Sequence, residues 1–206
     1  ADLNNPDFPI STFGNVQVGD LKYKDKNNDG FIDERDVTFI GHSDIPENVF
    51  ALNTGIDWKG FGLSVMFQGV SNVSRYYDAE TMYAFVNGGK VKEHHLNRWN
   101  PALSESENLA SAKYPLLHYD DFGNHNQRTN SFFLQNGAFL RLKNIEVSYT
   151  FPRQWIDSWA SDLRLYVNAN NLITWDHLDG LTDPESNGSN RYPIMKSINV
   201  GFNVKF

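Results

Sequence analysis

The chain has 206 residues, a formal net charge of −7 and a pI of about 5.3, and its 18 lysine and arginine residues form no basic run. An acidic chain of this kind is not expected to bind a nucleic-acid backbone, and the absence of cysteine excludes disulfides and thiolate metal sites within it. Aromatic residues reach 14% although the mean hydropathy is −0.51, so large apolar side chains are interleaved with polar ones, as in the strands of a β-barrel.

Neither a membrane-spanning helix nor an export signal is visible in the sequence. No stretch approaches the roughly 20 apolar residues of such a helix. The polar start, Ala1 to Asn5, lacks the basic region of a signal peptide. Because a barrel protein must be exported, we expect a signal that lies upstream of Ala1 or has been removed, and we expect the chain to be a piece of a longer protein.

Residues 1–49 are predicted to form a loop region with an acidic, calcium-loop-like segment at residues 25–36. Oxygen-bearing side chains occupy loop positions 1, 3, 5, 9 and 12, and position 7 offers a backbone carbonyl. Gly30 at position 6 permits the sharp turn, and Ile32 at position 8 supplies an apolar anchor. Clustered carboxylates repel one another unless a positive charge lies among them. The predicted metal ligands are Asp25, Asn27, Asp29, Phe31 through its carbonyl, Asp33 and Asp36.

The segment departs from a helix–loop–helix calcium switch in two respects. Position 12 is Asp36 rather than glutamate, and the flanking sequences, Leu21 to Tyr23 and Val37 to Ile40, indicate strands or loops. We therefore predict a structural Ca²⁺ or Mg²⁺ held with an affinity on the order of 10⁻⁴–10⁻³ M. The alternative is an acidic surface turn without a bound metal.

Residues 50–206 are predicted to contain the barrel strands, and the first two form a hairpin around Trp58-Lys59-Gly60. Apolar residues occupy nearly every second position from Phe50 to Ile56 and again from Phe61 to Phe67. The residues between them are mostly polar or small. A period of two is that of a strand with one apolar face.

A long polar segment, residues 71–130, follows the hairpin and carries no recognisable catalytic motif. His94-His95 lacks the spacing of a zinc-protease motif and is predicted to be a solvated pair. No serine stands in a nucleophile-elbow context, and no glycine-rich phosphate loop is present. The sequence therefore predicts that the chain is not an enzyme.

Three further strands are predicted in the remainder of the chain. The first runs from about Ala138 to Phe151, and its alternation changes phase near Lys143-Asn144. This change predicts a β-bulge, or else a strand whose upper part has left the membrane. The other two run from Leu163 to Trp175 and from Met195 to Phe206. Each is long enough for the roughly 9–11 residues of a tilted transmembrane strand.

The lengths of the connections assign a direction to these strands. The links at residues 58–60 and 152–162 are short, whereas those at residues 71–130 and 176–193 are long and polar. Outer-membrane barrels have short periplasmic turns and long extracellular loops. Residues 1–49, 71–130 and 176–193 are therefore predicted to be extracellular.

Aromatic residues collect beside the turns and are predicted to form interfacial girdles. The alternative is that strands simply favour aromatic residues. The residues concerned are Trp58, Tyr149, Phe151, Trp155, Trp159 and Trp175.

A series of short motifs resembles, in order and spacing, the C-terminal part of SusC-like (SusC/RagA-type) TonB-dependent transporters. The resemblance covers nearly the whole chain from about Gly19 onward. The motifs include Gly19-Asp20-Leu21-Lys22-Tyr23, Trp58-Lys59-Gly60-Phe61, Phe67-Gln68-Gly69, Arg98-Trp99-Asn100-Pro101, Phe139-Leu140-Arg141-Leu142-Lys143-Asn144-Ile145, Asn170-Asn171-Leu172-Ile173-Thr174-Trp175, Asp183-Pro184-Glu185 and the terminal Phe206.

This resemblance implies an all-β fold: an antiparallel transmembrane β-barrel of roughly 22 strands with an N-terminal plug, of which the chain holds about the last five strands. It implies TonB-driven import of glycan or peptide oligomers across the bacterial outer membrane, together with a SusD-like surface lipoprotein. TonB is expected to act through the missing N-terminal part. The strands are expected to contact outer-membrane lipid, the plug and the rest of the barrel. Phe206 resembles the terminal aromatic residue that the barrel-assembly machinery reads.

The residues alone also allow a soluble alternative, a secreted, calcium-stabilised β-sandwich that binds carbohydrate. A sandwich buries the apolar faces of its strands against a second sheet, whereas a barrel turns them towards lipid. The surroundings of the apolar strand faces therefore separate the two hypotheses.

Overall fold

The computed structural model describes residues 2–77, 79–86, 90–119, 125–178, 180–186 and 192–206. The chain divides into two compact units. Unit 1 contains Ala1–Ile40 and Tyr77–Phe133, and unit 2 contains Gly41–Tyr76 and Leu134–Phe206.

The chain is mostly β-structure with little helix. Its strands are β1 (Ile10–Ser11), β2 (Phe31–Ile32), β3 (Asn48–Trp58), β4 (Phe61–Ser71), β5 (Ser74–Tyr76), β6 (Leu134–Asn136), β7 (Phe139–Thr150), β8 (Asp162–Trp175) and β9 (Ser197–Lys205). Two α-helical segments are α1 (Ala79–Met82) and α2 (Glu105–Ser111), and 3₁₀ turns lie at Asp2–Asn4, Glu34–Asp36, Glu93–Asn97, His125–Gln127 and Arg153–Trp155. Within the described ranges, none of the helices combines the length and hydropathy needed to span a bilayer.

Unit 2 is built on a five-stranded antiparallel sheet in the order β3-β4-β7-β8-β9. The five strands predicted from the alternation are confirmed, each within a few residues of its predicted bounds. Strands β3 and β9 form the two edges of this sheet. A second, small sheet pairs β5 with β6 in antiparallel fashion.

The link between β3 and β4 is a two-residue hairpin. Trp58 pairs with Phe61, and the two residues between them, Lys59 and Gly60, have φ angles of 48° and 89°. Positive φ at both central positions is the geometry of a type I′ turn, which matches the twist of the flanking strands. A Cβ on Gly60 would lie 2.6 Å from the carbonyl oxygen of Thr150, so the turn requires glycine.

The predicted β-bulge is confirmed in β7. Leu142 and Asn144 pair with successive residues of β4, so Lys143 has no partner there. The β8 side of the same irregularity contains Asn171, which has a φ of 54°. The extra residue shifts the alternation of side chains between the two faces by one position. As a result, Ile145 and the apolar residues after it return to the face that Leu142 occupies.

Unit 1 contains short elements joined by hydrogen-bonded loops. Strands β1 and β2 pair in parallel, and Ser104 caps helix α2 by accepting from the backbone N–H of Glu107. Asn108 is almost fully buried and bonds both the N–H and the carbonyl of Asn100 through its side-chain amide, at 2.7 and 2.9 Å. It donates again to the carbonyl of Leu103. One buried amide thus fixes the turn that precedes α2.

Candidate functional site

One face of the five-stranded sheet is apolar from edge to edge. Its residues fall into rows that follow the register from β3 across to β9. The first row is Trp58, Phe61, Tyr149, Leu165 and Phe202; the second is Ile56, Leu63, Val147, Val167 and Val200; the third is Thr54, Val65, Ile145, Ala169 and Ile198.

Much of this apolar face is exposed. The exposed fraction is 65% for Ile56, 50% for Val147 and 78% for Val200, and no other described part of unit 2 covers these side chains. Monomeric soluble proteins rarely expose a contiguous apolar surface of this extent. The face therefore has the chemistry of a surface that meets lipid or another apolar partner.

The opposite face of the same sheet carries polar side chains that bond one another across the strands. Asn199 donates to the side-chain carbonyl of Asn168 at 2.9 Å. Arg164 donates to Glu146 at 2.6 Å and to the hydroxyl of Ser148 at 3.0 Å. The sheet is therefore amphipathic, and it can separate an apolar phase from a polar one.

Aromatic side chains are grouped at the short-turn end of the sheet. The ring of Tyr149 lies 4.6 Å from that of Phe61 and 5.0 Å from that of Phe151, measured between centroids. Trp155 and Trp159 are exposed in the turn between β7 and β8. The grouping agrees with the predicted girdle, whose contact with an interface stays a prediction.

Phe206, the predicted assembly signal, follows the last residue of β9. Its side chain is 94% exposed, so neither unit uses it as a core residue. Its role as a signal stays a prediction.

The predicted metal segment, residues 25–36, forms a turn held by its own side chains. Asp25 accepts hydrogen bonds from the backbone N–H groups of Asn28 and Gly30, at 2.6 and 2.9 Å. Asp36 accepts one from the N–H of Lys26 at 2.7 Å, which closes the loop. Gly30 has a φ of 84°, so the sharp turn expected at position 6 is present.

Two of the predicted ligands hold the middle of the loop, and Ile32 anchors its end. Asn27 accepts from the N–H of Asp29, and Asp29 accepts from the N–H of Phe31, both at 3.0 Å. The side chain of Ile32 is buried, as predicted for an apolar anchor. The parallel pairing of β2 with β1 fixes this end of the loop to the start of the chain.

Arg35 supplies positive charge inside this acidic turn. Its guanidinium lies 2.8 Å from Asp29 and 2.7 Å from Asp33. The hydrogen bond from Arg35 lowers the pKa of the Asp33 carboxyl, and the same hydrogen bond raises the pKa of Arg35. Among the described residues, no three carboxylate or imidazole groups converge as a metal centre. The turns fit a cation loop, while bound Ca²⁺ or Mg²⁺ stays a prediction.

We expect Arg35 to compete with a bound cation. A divalent ion coordinated by Asp29 and Asp33 must displace the guanidinium, so Arg35→Ala should bind Ca²⁺ several-fold more tightly than the unaltered chain. Calorimetric titration with Ca²⁺ and with Mg²⁺ measures both affinities, and Asp25→Asn serves as the control that should weaken binding. If Arg35→Ala takes up neither ion, the loop is an acidic turn balanced by its own arginine.

A buried network in unit 1 was not expected from the sequence. The carboxylate of Asp20 is 1% exposed and accepts from Asn126 at 2.8 Å and from the backbone N–H of Gln17 at 2.7 Å. His118 Nε2 lies 2.7 Å from the same carboxylate. The backbone N–H of Leu21 donates to Asn126 at 2.8 Å. Asp20 and Asn126 therefore join segments that are about a hundred residues apart.

The prediction that His94-His95 is a solvated pair is wrong for His95. Its side chain has no exposed surface, and its Nδ1 accepts from the backbone N–H of Lys92 at 2.9 Å. Nε2 lies 2.8 Å from the carbonyl of Met82, so this nitrogen carries the proton. The rings of His94 and His95 are 4.1 Å apart. The sequence does not show this because α1, which provides the Met82 carbonyl, has only four residues and therefore no apolar periodicity.

Burial lowers the pKa of His95, and the nearby charges of Lys92 and Arg98 lower it further. Burial also lowers the pKa of His94, with a contribution from His95. A proton on Nδ1 of His95 would face the N–H of Lys92. The unfolded chain, with a histidine pKa of about 6.5, therefore binds more protons than the folded one as the pH falls.

Unit 1 is accordingly expected to be most stable above about pH 6.5 and to lose stability as the pH falls below it. Thermal melting at about pH 7.5 and about pH 5.5 measures the difference. His95→Gln is the matched control, because glutamine can accept from Lys92 and donate to Met82 without titrating, and it should reduce the pH dependence. Equal pH dependence in both proteins would contradict this role of His95.

Three proteins of Formosa agariphila are similar to this chain over most of its length. TonB-dependent receptor P26 is 26% identical over 209 residues, which cover 92% of the chain. TonB-dependent receptor P3 is 23% identical over 220 residues, and TonB-dependent receptor P39 is 25% identical over 216 residues, each covering 98% of the chain. The chain spans only 20% of the length of each of these relatives.

Solved structures share the fold. The RagAB peptide importer in its open-open state has a TM-score of 0.60 and 27% sequence identity, covering 82% of this chain and 18% of that chain. A structure of the RagAB peptide transporter has a TM-score of 0.59 and 24% identity, covering 80% and 18% of the two chains. No family model matches the chain. These findings confirm the resemblance stated from the sequence: the chain resembles the C-terminal part of a SusC/RagA-type TonB-dependent transporter.

Proposed function

We propose that this chain is the C-terminal wall of a TonB-dependent importer in the bacterial outer membrane. The observation that carries the proposal is the five-stranded sheet with one exposed apolar face and one polar face. In lipid, a sheet persists only as part of a closed barrel, because every backbone group needs a partner. The likeness to RagAB and to TonB-dependent receptors supports the same architecture.

In this proposal the chain provides about the last five strands of a roughly 22-stranded barrel. The free edges of β3 and β9 then pair with strands outside this chain, since an unpaired edge is not tolerated in hydrocarbon. The apolar rows face lipid, and the long connections, with residues 1–49, face the cell exterior. The polar face, including Asn168 and Asn199, lines the interior and its plug.

The relatives support the transported class and the partners that we propose. The RagAB neighbours are a peptide importer, which supports oligopeptides as the proposed cargo. Glycan oligomers are the second proposed cargo, from the resemblance to SusC-like transporters. A SusD-like surface lipoprotein is the proposed partner outside, and TonB the proposed partner through an N-terminal part. The import is not enzymatic: the loops capture the oligomer, the plug moves, and the oligomer passes along the polar wall.

The cation loop has a structural role in this proposal. Asp25, Asn27, Asp29, the carbonyl of Phe31, Asp33 and Asp36 would hold Ca²⁺ or Mg²⁺. The ion would neutralise clustered carboxylates and fix an exposed loop in one shape.

The secreted β-sandwich is the hypothesis to be excluded. Among the described residues, the sheets besides the five-stranded one have two strands each, which is too little to cover its apolar face. The test is cell fractionation of the complete protein, followed by uptake of labelled oligopeptides and oligosaccharides with and without TonB. Outer-membrane location and TonB-dependent uptake are expected. A stable, soluble monomer from this chain alone, without detergent, would overturn the proposal.

A further inference from the structure

Part of the connection after β8 lies against the sheet. We call its described part, residues 180–186, the strap. Within it, Asp183 accepts from the N–H of Glu185 at 2.9 Å, and Pro184 between them is buried. The preceding Leu178 is 1% exposed. The strap is thus a packed turn with two carboxylates at its centre.

Arg141 on β7 holds the strap. Its side chain is 2% exposed, and its guanidinium donates to Asp183 at 2.8 Å and, through a second nitrogen, to Glu185. Its Nε donates to the hydroxyl of Thr174 on β8 at 2.8 Å. All three nitrogens therefore have partners, two of which belong to the strap.

The bulged residue of β7, Lys143, provides a second cation at the same place. Lys143 lies two residues after Arg141 and donates to Glu185 at 2.9 Å. Lys143 shares the polar face with Arg141, as residues two positions apart in a strand do. The bulge then places Asn144 on that face as well. Two cations on β7 thus face two carboxylates on the strap, and their charges balance.

The strap meets the polar face at the long-loop end of the sheet, through Arg141 and Lys143. Along the start of β7 the exposed fraction is 6% for Phe139, 37% for Leu140 and 2% for Arg141. Trp175, on the apolar face beside Leu140, is 49% exposed. Phe139 lies in a buried cluster with Val70 and Val73, so on this face the contacts of the strap itself are those with Arg141 and Lys143.

The charges keep the strap in place under ordinary conditions. A guanidinium does not lose its proton in a protein. Removing both carboxylates from a buried guanidinium leaves an uncompensated charge, which is strongly unfavourable. A strap bound in this way remains closed unless another group replaces the carboxylates or water reaches Arg141.

We propose that the strap narrows the interior at the long-loop end and thereby limits the size of the oligomer that can pass this wall. The inference rests on the proposed function, in which the polar face lines the interior. Arg141 is a positioning residue: it acts through the strap and touches no cargo itself. Release of the strap widens the path at β7 and β8 without altering the apolar face.

The test uses the complete protein in its native membrane, with a reporter cysteine in place of Asn170, below the strap on the polar face of β8. This chain has no cysteine of its own. Intact cells are treated with a small membrane-impermeant maleimide or with a maleimide that carries a long polyethylene glycol chain. The ratio of the two labelling rates reports the width of the path from outside.

Arg141→Met is expected to raise the relative rate of the long reagent by about tenfold or more, because the strap opens. The matched control is Arg164→Met, which removes an arginine ion pair from the same face near the other end of β8 and should leave the ratio unchanged. The double variant Asp183→Asn with Glu185→Gln releases the strap from its own side and should act as Arg141→Met does. Arg141→Lys keeps the charge and should restore part of the exclusion.

Hydrogen exchange of the purified proteins tests whether Arg141 holds the strap, independently of transport. Exchange in the strap should be faster in Arg141→Met and unchanged in Arg164→Met. Slow exchange of the strap in Arg141→Met would contradict the claim that Arg141 holds it. A released strap with an unchanged labelling ratio, or no access for either reagent in any variant, would overturn the size limit. Failure of the importer proposal would appear separately, as absence of the complete protein from the outer membrane.

Discussion

Val167→Arg is expected to lower the free energy of unfolding of the complete protein in lipid by about 2–4 kcal/mol, the cost of a charged side chain at the bilayer midplane on the lipid face of a barrel. Val167 lies at the centre of the apolar face, between Val147 and Val200, and is 46% exposed. In a soluble protein, arginine at so exposed a position would have little effect. The large expected cost comes from hydrocarbon at this face.

The neighbouring position on the same strand provides the control. Asn168 lies on the polar face, between Glu146 and Asn199, so Asn168→Arg should cost far less. Urea titration of the protein folded into lipid vesicles measures both free energies. Equal effects of the two arginine substitutions would contradict the assignment of the faces.

Asp20→Ala is expected to have the second-largest effect, confined to unit 1. The substitution removes the buried carboxylate that accepts from Asn126 and from the backbone N–H of Gln17, and it removes one partner of His118. Each unsatisfied buried group costs about 1–3 kcal/mol. We therefore expect the segments around Asp20 and His118 to open and to become sensitive to protease.

Limited proteolysis of the complete protein, with fragments identified by mass, locates the opening. Asp7→Ala removes an exposed carboxylate from the same unit and should leave the digestion pattern unchanged. Cleavage near residues 17–21 and 114–118 is expected in Asp20→Ala alone. Identical patterns for the two variants would show that the network does not hold unit 1 together.

The five-stranded sheet could be predicted because the alternation of apolar residues that specifies each strand is local in sequence. Apolar residues at every second position define a face, and a shift of one residue in that pattern near Lys143 predicted a bulge. The pair Lys59-Gly60 between two alternating runs likewise predicted the tight turn. These features depend on neighbours in sequence, so one sequence was sufficient to identify them.

The side-chain contacts made by the long connections could not be predicted in the same way. Asp20 bonds Asn126 across 106 positions, and Arg141 bonds Asp183 across 42. Such pairs have no period and no composition that separates them from solvated loop residues. His95 shows the consequence: a histidine in a polar segment was expected in solvent and is fully buried.

The acidic loop lies between these two cases. The spacing of its donors predicted the turns correctly, because each Asx side chain bonds a backbone N–H a few residues away. The spacing did not predict that Arg35 would lie against Asp29 and Asp33. The sequence pattern predicts which residues can serve as metal ligands. Whether Arg35 competes with a cation for them depends on side-chain positions, which the pattern does not contain.

The most direct measurement is the accessibility of spin labels along β9 in the complete protein, reconstituted in lipid. Single cysteines at Asn199, Val200, Phe202 and Asn203 carry the label, and collision with oxygen or with a water-soluble nickel complex is recorded at each. A barrel wall predicts high oxygen and low nickel accessibility at Val200 and Phe202, and the reverse at Asn199 and Asn203. Low accessibility to both reagents at Val200 and Phe202 would mean that another protein surface covers them, and would contradict a face turned to hydrocarbon.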